Sequence, residues 1–72
     1  MIDAREIGNR LRQLRGKRTI AEVAKSAGIG ASALTMYELG HRIPRDNAKM
    51  ALAHYYNTSV EALFFTKGSS EK

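Results

Sequence analysis

The chain has 72 residues, no cysteine and a formal net charge of +5, from 12 Lys and Arg against 7 Asp and Glu. That length makes one domain, near the size at which a single hydrophobic core is marginal, and the lack of cysteine excludes disulfides and cysteine-based zinc sites as staples. The basic excess points to an anionic partner, nucleic acid before membrane surface. No apolar run approaches the roughly 18 residues that span a bilayer, and the N-terminus lacks the layout of a signal peptide, so a cytoplasmic chain without a membrane partner is expected.

Asp3 and Glu6 read as a capping box ahead of the apolar stripe Ile7, Leu11 and Leu14, which Gly16 ends. Arg5, Arg10 and Arg12 fall toward solvent on that first helix. Lys17 and Arg18 form a tight link to Thr19, which makes a second capping box with Glu22. Ile20, Val23, Ala24 and Ala27 then recur at i, i+3, i+4 and i+7, the stripe of a second helix, and Gly28 supplies the left-handed residue that closes it.

Gly30 opens a third helix, expected over 31–39. Leu34 and Tyr37 share its inward face, while Ala31, Ser32, Thr35, Met36 and Leu39 are left pointing outward. Gly40 closes it, and His41, Arg42, Ile43, Pro44 and Arg45 form a basic loop. A fourth helix is expected from Asp46 to Tyr56, with Ala48, Leu52, Ala53 and Tyr56 inward and Asn57 as its left-handed stop. Thr58 or Ser59 caps a fifth, whose Val60, Leu63 and Phe64 face the core. Phe65 exceeds what so small a core needs and is expected to form a dimer contact. The domain therefore covers 1–65, and the polar stretch 66–72, TKGSSEK, is expected to be a flexible tail.

Two helices joined by a turn of about 3 or 4 residues, the second presenting a free face, describe a helix-turn-helix, here over about 20–39. Ala24, Gly28 and Leu34 occupy the places of the motif's small packing residue, turn glycine and branched core residue. With Ile7-Gly8 through Arg15, Tyr37-Glu38 with Gly40, Pro44, and Thr58 to Phe64, the chain resembles the lambda-repressor-like (Cro/cI, Xre-type) DNA-binding domains from Ile7 to Phe65. The resemblance implies an all-α fold, a compact five-helix domain. It also implies double-stranded DNA as partner, a palindromic operator, and a homodimer on DNA.

The base-facing positions implied are Gly30, Ala31, Ser32, Thr35 and Met36, on a helix whose N-terminal end enters the major groove. Backbone or minor-groove contacts are implied for Arg15, Lys17, Arg18, Thr19, His41, Arg42 and Arg45. Arg15 is also implied to pair with Glu38, tying the first helix to the end of the third. The sequence departs from the family at Ile20, where many relatives carry glutamine, and at Lys49, where leucine is common. The outward face of the third helix has no Arg, Lys, Gln or Asn, which removes bidentate reading of guanine or adenine.

The expected function is that of a sequence-specific transcriptional regulator, most simply a small repressor, bacterial or phage-encoded. Phage repressors, restriction-modification controllers and antitoxins all fit this description. The alternative is a protein-interaction module on the same fold, an antitoxin or accessory partner, which the bland third helix and Ile20 favour. An enzyme is not expected, because neither His41 nor His54 has a carboxylate or nucleophile in a recognisable arrangement and no glycine-rich phosphate loop follows a strand. No metal, cofactor or small-molecule ligand is expected.

Overall fold

The computed structural model describes residues 3–65, Phe65 by its backbone alone. The Phe65 dimer contact and the tail at 66–72 therefore lie outside the described residues. Among those described there are five helical segments and no strand: α1 (Ala4–Arg15), α2 (Ile20–Ala27), α3 (Ala31–Glu38), α4 (Asp46–Tyr55) and a short π-type fifth segment (Glu61–Phe65). This is the all-α, five-helix class expected from the residue pattern. No helix among them is long and apolar enough to cross a membrane.

The boundaries follow from side chains that satisfy orphan backbone groups at helix ends. The Asp3 carboxylate accepts the N–H groups of Arg5 and Glu6 at 2.7 and 3.1 Å, starting α1. Thr19 and Glu22 form the expected capping box, Glu22 N–H to Thr19 Oγ1 at 3.0 Å and Thr19 N–H to Glu22 Oε1 at 2.9 Å. Ser59 Oγ accepts the Ala62 N–H at 3.0 Å and so caps the fifth segment.

One stop recurs after α2, α3 and α4. In α2 the Ile29 N–H reaches Ala24 O at 2.9 Å and the Gly28 N–H reaches Lys25 O at 3.3 Å. His41 to Met36 with Gly40 to Tyr37 repeats this in α3, and Thr58 to Ala53 with Asn57 to His54 repeats it in α4. Each is a Schellman motif, with Gly28, Gly40 and Asn57 at positive φ, where glycine and asparagine are tolerated best.

Each segment contributes two residues to the core: Ile7 and Leu11, Val23 and Ala24, Leu34 and Tyr37, Leu52 and Ala53, Leu63 and Phe64. Leu14 is not among them. It is 37% exposed and lies at the rim of an open groove with Arg10, Gln13, Thr58, Ala62 and Leu63. Thr58, Ala62 and Leu63 line the far side of this groove and leave it open over Leu14. Arg10 also departs from its expected solvent position, since its Nη1 donates to the carbonyls of Leu63 at 3.0 Å and Ala62 at 3.4 Å and ties the fifth segment to α1.

What the stripe pattern missed is Gly8, buried at the crossing of α1 and α3. A Cβ there would lie 2.5 Å from Glu38 O and 2.8 Å from Tyr37 O, so the end of α3 rests directly on the α1 backbone. A glycine inside a helix costs up to about 1 kcal/mol in propensity, and this close approach is its structural return. Gly8→Ala is accordingly expected to destabilise the domain by about 1–3 kcal/mol through overpacking, despite the better helix former. Thermal unfolding followed by circular dichroism checks this, with a fall in Tm of about 5–20 °C expected. An unchanged Tm would show that the two helices can separate without cost.

Candidate nucleic-acid interface

α3 has a locked side and a free side. Leu34 and Tyr37 are buried in the core, and Glu38 is 6% exposed, its carboxylate gripped by Arg15. Arg15 Nε donates to Glu38 Oε2 at 2.8 Å and Nη2 to Oε1 at 2.9 Å, a two-bond fork, while Nη1 donates to Arg18 O at 2.8 Å. The hydrogen bond to Glu38 raises the Arg15 pKa above its ordinary value.

Arg18 is held beside this pair. Its Nη2 donates to Leu14 O at 3.0 Å, Nη1 to the Tyr55 hydroxyl at 3.2 Å, and its guanidinium lies 5.5 and 5.7 Å from the ring centroids of Tyr55 and Tyr56. These bonds tie the α1–α2 link to α1, α3 and α4, while Arg18 itself remains exposed.

The free side of α3 carries the residues singled out from sequence. Ala31, Ser32, Thr35 and Met36 are all exposed, Met36 by 37%, and Leu39 continues the same face at 54%. Gly30 precedes them as an N-cap without a side chain, so the first N–H groups of α3 have no side-chain cap, unlike those of α1 and α2. Thr35 Oγ1 donates to Ala31 O at 3.0 Å. Its hydroxyl proton is thereby used, and toward a ligand it presents lone pairs and a methyl group; Ser32 keeps both donor and acceptor capacity.

Beyond Gly40 the loop exposes His41, Arg42 and Arg45, while Pro44 is buried and anchors it. Ile43 is 50% exposed between them. Lys17 is exposed in the α1–α2 link, and Thr19 is exposed with its Oγ1 occupied as a cap. The surface is therefore an uncharged helix face followed by a cationic loop. The one sequence signal for the contact of Arg18 with Leu14 O is its closeness to the end of α1, where a basic side chain meets free carbonyls.

The family model of a helix-turn-helix domain matches residues 6–63. The chain belongs to the helix-turn-helix domain family. Its fold also matches the crystal structure of the restriction-modification controller protein C.AhdI from Aeromonas hydrophila, with a TM-score of 0.76 and 25% identity, over 85% of this chain and 96% of that one. No curated protein matches the sequence. The lambda-repressor-like resemblance is borne out by these findings, and the domain is of the DNA-binding, transcription-regulator class.

The Tyr56 hydroxyl is buried with no hydrogen-bond partner among the described residues. Burial, and next the nearby Glu38 carboxylate, raises its phenol above the ordinary 10.0. The folded state then holds that proton more tightly than the unfolded chain, so the contribution to stability is full below pH about 10 and is lost as pH rises through the folded-state value. Tyr56→Phe is expected to leave stability at pH 7 unchanged or raise it by about 1 kcal/mol and to flatten the fall above pH about 10. Denaturant unfolding of both proteins at neutral pH and at about half a unit past the ordinary phenol value checks the pair of outcomes. A clear loss of stability at neutral pH would show that the hydroxyl has a partner.

Proposed function

We propose that the domain is a sequence-specific regulator that lays α3 in the major groove of duplex DNA and acts, most simply, as a repressor by occupying its operator. The observation that carries this reading is the exposed face Ala31, Ser32, Thr35 and Met36, held outward by the buried Leu34, Tyr37 and Glu38 and followed by the exposed His41, Arg42 and Arg45. The likeness to a restriction-modification controller protein supports a regulatory role.

The chemistry of that face sets the mode of reading. Ser32 accepts or donates, Thr35 accepts, and Ala31, Met36 and the Thr35 methyl suit thymine methyl groups. These contacts discriminate modestly, so phosphate contacts and DNA shape carry a large share of affinity and selectivity. Arg42 and His41 are assigned to phosphates, and Arg45 to a narrow, A·T-rich minor groove. Lys17 and Thr19 are assigned to backbone contacts on the other flank. Arg15 and Arg18 serve the interface by positioning α3 and the link.

The domain is assigned to a two-fold dimer on DNA, reading palindromic half-sites about 34 Å apart. The open groove around Leu14, lined also by Ala62 and Leu63 of the fifth segment, supports a self-contact there. The site of action is the bacterial cytoplasm, on the nucleoid.

A protein-interaction module is the second reading, and the exposed Leu39 and Ile43 flanking α3 favour it. Selection of bound fragments from random DNA, with footprinting and a salt series, separates the two. A regulator yields a two-part footprint and an affinity that falls steeply with salt, whereas an interaction module yields neither. Within the regulator reading, Ser32→Ala combined with Met36→Ala is expected to lower the operator-to-random affinity ratio about fivefold, on the order of 1 kcal/mol. An unchanged ratio would remove this face from the readout.

A further inference from the structure

We propose that Arg5, Asn9 and Arg12 of α1 form a second phosphate-binding strip, which extends the DNA interface past the last turn of α3. This rests on the reading of α3 as the groove-facing helix. The three residues recur at i, i+4 and i+7, so they share one stripe, and all three are exposed. They span about 10 Å along the helix axis. Neither guanidinium has a carboxylate partner among the described residues. Ile7 and Leu11 commit other positions of α1 to the core, leaving this stripe on its surface.

Its place in the fold connects it to α3. Arg5, Asn9 and Arg12 line one groove with Glu38 and Leu39. The Glu38 carboxylate is already consumed by Arg15, with 4% side-chain exposure, so it leaves the strip cationic. Leu39 lies seven residues after Ser32 and four after Thr35, on the same outward face of α3. The first turn of α1 is also clamped to the start of the basic loop, since a Cβ at Gly40 would sit 3.1 Å from Arg5 Cγ and 3.2 Å from Arg5 Cα.

A duplex seated along Ser32, Thr35 and Met36 therefore meets Leu39 at its edge, with the α1 strip next and the His41–Arg45 loop beside it. Two arginine forks flanking an amide match the donor chemistry that phosphate oxygens require. The strip reads no bases. It adds affinity uniformly, which a bland α3 needs.

The test uses the whole chain, on a duplex selected by the wild type and on a random duplex of equal length. Arg5→Ala with Arg12→Ala is compared with Arg5→Lys and Arg12→Lys across a salt series, with thermal melts to confirm the fold. The alanine pair is expected to reduce the slope of log affinity against log salt by about 1.8, from about 0.9 for each phosphate that is no longer neutralised. It should weaken both duplexes by the same factor, while the lysine pair keeps the slope. A wild-type slope and affinity in the alanine pair would overturn the strip while leaving the α3 reading standing. A loss confined to the selected duplex would overturn it too, because the residues would then be reading bases. Failure of the wild type to bind any duplex would end the α3 reading, and the strip with it.

Discussion

The bond between Arg15 and Glu38 is the constraint on which the rest of the domain depends. Desolvating a carboxylate is costly, and removing one partner of a buried pair strands the other at a cost of about 3–5 kcal/mol. The side-chain exposures are unequal, 22% for Arg15 and 4% for Glu38. Glu38 is thus the group that cannot stand alone. The fork places the end of α3 against the end of α1, and the third donor of Arg15 passes the constraint to Arg18 O. Arg18 then reaches the end of α1 and the rings of Tyr55 and Tyr56 at the end of α4. A chain of contacts from α3 through α1 to α4 holds α3 by its inner side, and this is what leaves Ser32, Thr35 and Met36 outward.

Two other features serve the same geometry. Gly8 lets the α3 carbonyls of Tyr37 and Glu38 come within contact of the α1 backbone, which brings the Arg15 fork within reach of its carboxylate. Gly40 turns the chain away immediately after α3, so the cations of the loop follow the helix face at once. The interface is assembled from rigid backbone and short side chains. Its long cationic side chains lie on the periphery, where water and phosphate compete for them.

The uncharged α3 surface has a physical consequence for selectivity. Hydroxyl and methyl contacts distinguish bases less sharply than an arginine or glutamine fork, and the Thr35 hydroxyl spends its proton on its own helix. In the function proposed above, affinity comes from the phosphate backbone and selectivity from how the duplex deforms, two terms that depend on the whole cationic surface and its shape.

The residue pattern by itself determined the helix starts at Asp3 and Thr19, narrowed the last to Thr58 or Ser59, and determined the stops at Gly28, Gly40 and Asn57 and most of the core, because caps, left-handed stops and apolar spacing are encoded within a few neighbouring residues. It also marked the exposed face of α3, since Leu34 and Tyr37 declare the opposite side. The Arg15–Glu38 partnership was legible only through the family resemblance. The tertiary structure decided the rest: the burial of Gly8, the exposure of Leu14, the turn of Arg10 onto the fifth segment, the docking of Arg18 on the end of α1 and on Tyr55, and the buried Tyr56 hydroxyl. Each of these depends on what another helix places opposite the residue, often dozens of positions away, and local spacing carries no information about that neighbour.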